Sequence, residues 1–317
     1  MIFINILFLG DPHLDSQTPV SRKDNYREAT IKKLKSLLEL SKKENVSHIV
    51  FPGDFFDKYN PPISYINEVM ETLLLFKEAN IVVMSIIGNH DLPYNSMVHF
   101  QTTPLRTLFN SGLVKRLSKE VVGNILLQGL DFMEETEDET LEQRVRKLEV
   151  EEGKTNILVM HYATDNTVPG DSISRSELSK FDIVLSGHDH TYYPNGVLNY
   201  GNGTTLILRP GSFTRRTKEK QNLTRDIVVY KLDTEEGKVY EIKLPGVASA
   251  EDIFTSASMM EAGFNHFDNK YNDVFNKDYF ESKSINIYNI VDNLPPTVYT
   301  MSKEYIVGYL KGLGVDQ

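Results

Sequence analysis

The stretch FDIVLSGHDH, residues 181–190, joins an apolar run to a polar turn that carries two histidines. In a strand, residues i and i+2 share a face, so His188 and His190 are predicted to point the same way if the extended geometry persists. This spacing suits two ligands of a metal site. An exposed polar turn that closes a strand would give the same short pattern, and the other strand ends must decide between the two interpretations.

Four other apolar runs end in a similar way, with acidic, amide or imidazole side chains. Five of the eight histidines of the chain fall in the five blocks, a concentration that scattered structural histidines would not show. In open α/β sheets the carboxyl ends of the strands line one ligand crevice, so we expect the blocks to meet there. The further blocks are GDPH (10–13), PGDFFD (52–57), GNHD (88–91) and VMH (159–161).

The donor types in these blocks indicate a metal site. Carboxylate, imidazole and amide donors without thiolate suit manganese, iron, zinc or nickel more than calcium or magnesium. The set is large enough for two ions about 3.5–4 Å apart if one carboxylate bridges them, an arrangement that clamps the attacking and leaving oxygens of a displacement at phosphorus. Such ions would also lower the pKa of a shared water. Phosphoester hydrolysis is therefore the expected reaction.

The composition limits the compartment and the partners. The chain has 317 residues and no cysteine, which excludes disulfides, thiolate metal sites and a cysteine nucleophile and fits a reducing, cytoplasmic setting. The net charge of −10 argues against a generally nucleic-acid-coating surface, although not against a local basic patch. The apolar start, MIFINILFLG, is interpreted as a core strand and not as a signal peptide. No apolar stretch approaches the roughly 20 residues of a bilayer span, so no membrane contact is expected.

The pattern along the chain predicts an α/β sandwich. Short β-branched runs alternate with amphipathic stretches up to about residue 190, including an acidic helix near 136–151. Beyond it, alternation broken by glycine turns predicts two hairpins, at 196–212 and 227–244. A stretch of different composition, rich in Phe and Tyr, begins near Pro245. We therefore predict a catalytic domain at 1–245 and a small, mostly helical C-terminal region at 246–317.

The ordered motifs D-x-H, G-D-x-x-D, G-N-H-D, a lone H and G-H-x-H resemble those of the calcineurin-like metallophosphoesterase superfamily, over roughly residues 5–232. The resemblance implies a two-sheet sandwich flanked by helices. It implies that one metal is held by Asp11, His13, Asp54 and His190, and the other by Asp54, Asn89, His161 and His188. It further implies that His90 faces the scissile phosphate without binding metal, oriented by Asp91. Asp57 matches a recurrent position of the superfamily, and we expect it either to support the metal ligands or to be structural.

Within the superfamily, GDFFDKYNPP, IIGNHDLPYN and RPGS resemble the nuclease subunit of SbcC/SbcD-type double-strand-break processing complexes, including shorter phage versions. This resemblance implies a manganese-dependent DNA exonuclease and endonuclease that works with an SMC-like ATPase partner. Zinc, iron or nickel remain alternative metals, and a homodimer is left open. The alternative functions are a phosphatase or phosphodiesterase acting on a small molecule or nucleotide, and a metal-free scaffold. The scaffold is disfavoured because no ligand position has been lost.

Two further stretches bear on the partners. The basic stretch RPGSFTRRTKEKQNLTR, residues 209–225, follows the G-H-x-H block and predicts contact with a nucleic-acid backbone. The predicted contact residues are Arg209, Arg215, Arg216, Lys218 and Arg225. Aromatic residues between Phe254 and Phe280 predict a region that packs on or caps the catalytic domain, with docking of the ATPase partner as the alternative.

Overall fold

The computed structural model describes residues 4–133, 139–165, 167–193, 197–200, 203–217, 222–223 and 225–255. The chain divides into two compact units, Met1–Met259 and Met260–Gln317, and all described residues lie in the first. Among the described helices, none has both the length and the apolar character that a membrane span requires.

Two sheets form the framework of this unit. The first sheet has four parallel strands, and three further strands extend it antiparallel on one side. Its strands in spatial order are β11 (Val197–Asn199), β14 (Lys238–Lys243), β13 (Val228–Asp233), β1 (Asn5–Phe8), β2 (Val46–Phe51), β3 (Val82–Ser85) and β4 (Lys115–Arg116).

The second sheet is parallel except for one edge strand. Its strands in spatial order are β12 (Leu206–Leu208), β10 (Ile183–Ser186), β7 (Thr155–Met160), β6 (Ile125–Leu130) and the antiparallel β5 (Lys119–Val122). A short parallel ribbon, β8 (Ala163–Thr164) with β9 (Ser172–Ile173), follows β7.

Alternating side chains of the central strands enter two different cores, as the period of two in a strand requires. On β1, Ile6 and Phe8 pack between the two sheets, whereas Leu7 packs with the helices outside. β7 repeats this alternation, with Ile157 in the inner core and Leu158 in the outer one. Strands buried on both faces explain why the sequence shows continuous apolar runs there and not polar alternation.

Helices cover the sandwich from outside. The two long ones pack on each other, and their apolar stripes face the first sheet. Asn25 caps the first by accepting a hydrogen bond from the Glu28 amide. The helices are α1 (Tyr26–Lys43), α2 (Ile63–Glu78), α3 (Pro104–Ser111), α4 (Leu141–Lys147) and α5 (Ala250–Ile253), with short 3₁₀ turns at Pro93–Asn95, His99–Thr102 and Arg175–Leu178.

The fold class is confirmed: the unit is a mixed α/β sandwich of two sheets with helices. The hairpin predicted at 227–244 is present as β13–β14. The hairpin predicted at 196–212 is wrong, because β11 joins β14 in the first sheet while β12 pairs with β10 in the second. Pairing with β10 buries Leu208 in the inter-sheet core, and local alternation alone could not indicate this choice.

Two predicted boundaries also differ from the structure. The acidic helix spans only Leu141–Lys147, because Thr140 and Gln143 form a capping box that fixes its start. The first unit continues beyond the boundary predicted near Pro245. Phe254 is fully buried and forms a β-bridge with Arg22, and the Thr255 amide donates to the Ser21 carbonyl.

A close backbone contact joins the end of β1 to the loop that follows β12. A Cβ atom at Gly10 would lie 1.5 Å from the Gly211 carbonyl oxygen, so only glycine fits. Two residues further along the loop, the Phe213 amide donates to the Asp11 carbonyl at 2.9 Å. The loop is thereby held against Asp11 in the GDPH block.

We predict that Gly10→Ala costs roughly 3 kcal/mol or more, because backbone must move to admit the methyl group. Gly112→Ala is the control: its Cβ would meet nothing within 4 Å, and its φ of +66° alone costs about 1–2 kcal/mol. Thermal unfolding should therefore show the larger fall in Tm for Gly10→Ala. Equal Tm values for the two variants would contradict this close contact.

Candidate metal centre

The polar blocks meet at one edge of the sandwich because five parallel strands, two of them in the second sheet, all end there. β1, β2 and β3 lead to Asp11, Asp54 and Asn89, and β7 and β10 lead to His161 and His188. All seven predicted metal ligands lie in this cluster, which we call the metal-ligand cluster: Asp11, His13, Asp54, Asn89, His161, His188 and His190.

One half of the cluster consists of Asp11, His13, Asp54 and His190, whose donor atoms all lie within 4.8 Å of one another. His13 Nε2 lies 3.4 Å from Asp54 Oδ2 and 2.8 Å from His190 Nε2. His190 Nε2 in turn lies 3.4 Å from Asp11 Oδ2. Four N and O donors that face one another at such distances can surround a single cation.

The other half consists of Asp54, Asn89, His161 and His188. His161 Nε2 lies 3.3 Å from Asp54 Oδ2 and 2.9 Å from Asn89 Oδ1. Asn89 Oδ1 also lies 3.1 Å from His188 Nδ1. The same oxygen of Asp54 therefore contacts one histidine of each half.

Backbone geometry fixes these side chains. His13, Asp54 and His188 have φ values of 42°, 47° and 71°, in the left-handed region that residues other than glycine seldom adopt. The extended geometry of β10 thus ends before His188, and His188 and His190 serve different halves of the cluster. Strain concentrated at three donor positions is typical of a functional site.

Hydrogen bonds orient the donor atoms further. The His188 amide donates to Asp11 Oδ2 and the His90 amide donates to Asp54 Oδ1, each at 2.8 Å. His161 donates from Nδ1 to the Pro52 carbonyl at 2.7 Å, which fixes its tautomer and leaves Nε2 for the cluster. A Cβ at Gly88 would lie 2.2 Å from Asp54 Oδ1, so the chain needs glycine beside this carboxylate.

The electrostatics of the cluster favour a bound cation. Burial lowers the pKa of His161, but Asp54 outweighs it and raises the pKa to about 9. Burial likewise raises the pKa of Asp54, and His161 and His13 outweigh it and hold that pKa below its usual range. The negative charge of Asp54 therefore favours a positive charge beside it. A divalent cation would supply more positive charge there than a proton does.

One buried atom supports the same fit. Asp11 Oδ1 is inaccessible to solvent and has no hydrogen-bond partner among the described residues. Burying a carboxylate oxygen without a partner costs free energy of folding unless an ion or a hydrogen-bond donor contacts it. The carboxylate, imidazole and amide donors present here fit divalent transition-metal ions.

The residues around His90 differ from the prediction. Asp91 is buried and accepts hydrogen bonds from the amides of Gly88, Phe55 and Phe56, so its predicted role of orienting His90 is wrong. His90 Nδ1 instead donates to the Asp57 carbonyl at 2.7 Å. Burial, reinforced by Asp54, raises the pKa of Asp91 to about 7.

The basic stretch also differs from the prediction. Arg209, Arg215 and Arg225 are buried, and their guanidinium groups bind Asp189 and the carbonyls of 210, 212, 225 and 248. The structure contradicts these three as phosphate contacts, because their charges hold the loop and do not face solvent. Arg216 is different: its side chain is 31% exposed and its Nη2 lies 2.8 Å from Asp57 Oδ2. Lys218 lies outside the described residues.

Three supporting contacts were not found from sequence. Asp171 Oδ2 lies 3.4 Å from His188 Nε2, and the Tyr26 hydroxyl donates to the His13 carbonyl at 3.0 Å. The third is the Asp57 carbonyl already described. Asp171 and Tyr26 lie in stretches without a strand-end motif, so no local sequence pattern indicated them.

Comparisons with known proteins found curated relatives of this chain. The chain is 28% identical over 195 residues to the "DNA double-strand break repair protein Mre11" of Sulfurisphaera tokodaii, covering 59% of this chain and 49% of that protein. It is 25% identical over 236 residues to the protein of the same name in Sulfolobus acidocaldarius, covering 70% and 59%. It is 33% identical over 101 residues to "Exonuclease subunit 1" of Enterobacteria phage T4, covering 30% and 28%.

The chain spans about half the length of the curated Mre11 proteins that it matches. The family model for calcineurin-like phosphoesterases matches residues 4–192, which include every strand end that contributes to the metal-ligand cluster. The chain therefore belongs to the calcineurin-like phosphoesterase family.

Proposed function

We propose that the protein is a dinuclear-metal phosphodiesterase that cleaves DNA. The observation that carries this proposal is the position of Asp54 Oδ2, which contacts His13 at 3.4 Å and His161 at 3.3 Å. One carboxylate oxygen between two sets of donors would allow a cation to bind on each side of it, as in two-metal sites. The names of the matched relatives, a double-strand break repair protein and an exonuclease subunit, support DNA as the substrate.

The metal-ligand cluster would hold two divalent ions, with manganese as the proposed metal and zinc, iron or nickel as alternatives. Asp11, His13, Asp54 and His190 would hold one ion, and Asp54, Asn89, His161 and His188 the other. Such ions would supply hydroxide near neutral pH and would stabilise charge on the reacting phosphate.

His90 is proposed to act on the substrate directly. Its side chain is 37% exposed, whereas that of the neighbouring His13 is 2% exposed. Because Nδ1 donates to the Asp57 carbonyl, Nε2 is the nitrogen that remains for a substrate. A protonated ring in this position can stabilise the transition state or donate a proton to the leaving sugar oxygen.

Arg216 and Lys58 are the proposed contacts to the DNA backbone. Arg216 pairs with Asp57, and Lys58 follows Asp57 in the chain with its side chain 42% exposed. Arg216 thus lies beside the residue that holds His90, whereas Lys58 is its neighbour in the chain and has its Nζ 3.6 Å from Asp15 Oδ2. Partly exposed cations next to a phosphoester site position a nucleic-acid backbone without reading its sequence.

A second candidate is a phosphodiesterase for a small molecule or nucleotide. The burial of Arg209, Arg215 and Arg225 favours it, because these cations do not present charge to a long polyanion. A higher rate on a nitrophenyl phosphodiester than on labelled single- or double-stranded DNA, with Mn²⁺ present, would support this candidate.

The resemblance to SbcC/SbcD-type nucleases also leads us to propose an SMC-like ATPase partner. The aromatic C-terminal region remains the proposed docking or capping segment. Its residues beyond 255 lie outside the described residues. Copurification of the full chain with such an ATPase would test this pairing.

Asp54→Asn is predicted to lower metal content and phosphodiester hydrolysis together, because the amide cannot bridge two ions. Metal content is measured by mass spectrometry after loading with Mn²⁺, and hydrolysis with a nitrophenyl diester. Asp226→Asn, at a carboxylate that is 55% exposed and paired with Lys243, is the control and should change neither. Two ions per chain at full occupancy in Asp54→Asn would contradict the bridging role.

His90→Ala is predicted to keep both metals and to bind DNA nearly normally, yet to slow DNA cleavage by roughly 10²–10⁴-fold, the usual contribution of general acid catalysis. The loss on a nitrophenyl diester should be smaller, because that leaving group needs no proton. His48→Gln, near the amino end of β2, is the control. Loss of a metal from His90→Ala would instead make His90 a ligand, and undiminished cleavage would remove its catalytic role.

The neighbouring arginines are predicted to respond differently. Arg216→Ala should weaken DNA binding in chelator and lower the log-log salt slope by roughly 0.7–0.9, as expected for one lost phosphate contact. Arg215→Ala should instead destabilise the fold by about 1–3 kcal/mol, because buried carbonyls lose their donor. Salt titrations and thermal unfolding of both variants separate the two roles. The same salt slope in Arg216→Ala as in wild type would contradict the proposed contact.

A further inference from the structure

We propose that Tyr59, Tyr94 and His99 form a stacking site for an unpaired nucleobase beside the metal-ligand cluster. These three residues are called the aromatic cluster below. The inference deepens the proposed function, on which it rests, because it specifies that the DNA strand at the site has at least one exposed base.

The aromatic cluster exposes ring surface to solvent. Tyr94 is 82% exposed and Tyr59 is 40% exposed. Their ring centroids lie 6.4 Å apart at an interplanar angle of 40°, and those of Tyr94 and His99 lie 5.5 Å apart at 71°. Neither pair is stacked face to face, so ring faces remain available to a ligand. Single exposed apolar residues are common, whereas exposed rings in mutual contact indicate a binding surface.

The aromatic cluster lies next to the residues proposed for chemistry. Tyr59 follows Asp57 by two residues, which limits the distance between their Cα atoms to about 7 Å. Tyr94 lies on the turn that continues from the GNHD block, where the Leu92 amide donates to the Asn89 carbonyl at 3.2 Å. A strand whose phosphate reaches His90 would therefore bring a neighbouring base to these rings.

The backbone holds Tyr94 in a costly conformation. Its φ and ψ are 54° and 31°, a left-handed conformation that costs a residue with a side chain about 1–2 kcal/mol. The turn is kept by hydrogen bonds from the amides of Asn95 and Ser96 to the carbonyls of Leu92 and Pro93, each at 3.1 Å. Since the ring is exposed, its packing does not account for this strain. Strain retained at an exposed side chain beside a reactive site indicates a role in binding.

The chemistry of the surroundings favours a nucleobase over an apolar protein segment. Lys58 is next to Tyr59 in the chain, and Arg216 pairs with Asp57. Cations beside aromatic rings are the combination that binds single-stranded nucleic acid, with phosphates on the cations and bases on the rings. A base inside a duplex has no free face, so the site would select single strands or frayed ends.

The test measures binding of a short single-stranded DNA to the full chain in chelator, so that no cleavage interferes. Tyr94→Leu should weaken binding by about 5- to 100-fold, the contribution of one base stacked on one ring. Tyr94→Phe keeps the aromatic face and should bind as wild type. Val98→Ala, at an 80% exposed residue close in the same segment, is the matched control and should also bind as wild type.

A second series uses oligonucleotides with one abasic position moved along the strand. At the position that stacks on Tyr94, loss of the base should weaken binding to wild type, and the effect of Tyr94→Leu should disappear. Equal effects of Tyr94→Leu at every abasic position would contradict stacking. Unchanged DNA binding by Tyr94→Leu, with wild type binding and cleaving DNA, would overturn the stacking site alone and make the aromatic cluster a candidate protein contact. A wild type that hydrolyses a nitrophenyl diester but neither binds nor cleaves DNA would overturn the proposed function as well.

Discussion

The carboxylate of Asp54 is the constraint on which the rest of the site depends. It is buried at the end of β2, and its two oxygens have different tasks. Oδ1 accepts the His90 amide, while Oδ2 contacts His13 and His161. A buried carboxylate is stable only with compensating charge and donors. The neighbouring strand ends supply these charges and donors. The left-handed backbone at Asp54 and the absence of a side chain at Gly88 leave room for the carboxylate.

A second set of charges, remote from solvent, positions one side of this site. The loop at 210–215 contacts the Asp11 and His13 segment, and its carbonyls accept hydrogen bonds from Arg22, Lys33 and Arg225. Burial, reinforced by the neighbouring arginines, holds the pKa of Lys33 well below its usual value. Three basic side chains under one loop are thus held by hydrogen bonds to its carbonyls. The basic stretch is therefore mainly scaffold, and Arg216 is the described arginine that reaches from it toward the metal-ligand cluster.

The strand ends could be predicted from sequence because an apolar run followed by a polar block is a local pattern with a fixed place in a parallel sheet. Other features depend on tertiary pairing. The sequence around Leu206–Leu208 is as compatible with a hairpin as with the parallel edge strand that it forms. Counting charges could not separate the buried Arg215 from the partly exposed Arg216, since adjacent residues face different surroundings. Asp91 was assigned to His90 by adjacency, but three backbone amides bind it instead.

The central claim is that two cations lie on either side of Asp54. The most direct measurement is a crystal structure of the protein grown with Mn²⁺, with anomalous scattering recorded at the manganese edge. Two peaks about 3.5–4 Å apart, with Asp54 bound to both, are the predicted result. A single peak, or two peaks of which only one contacts Asp54, would contradict the account.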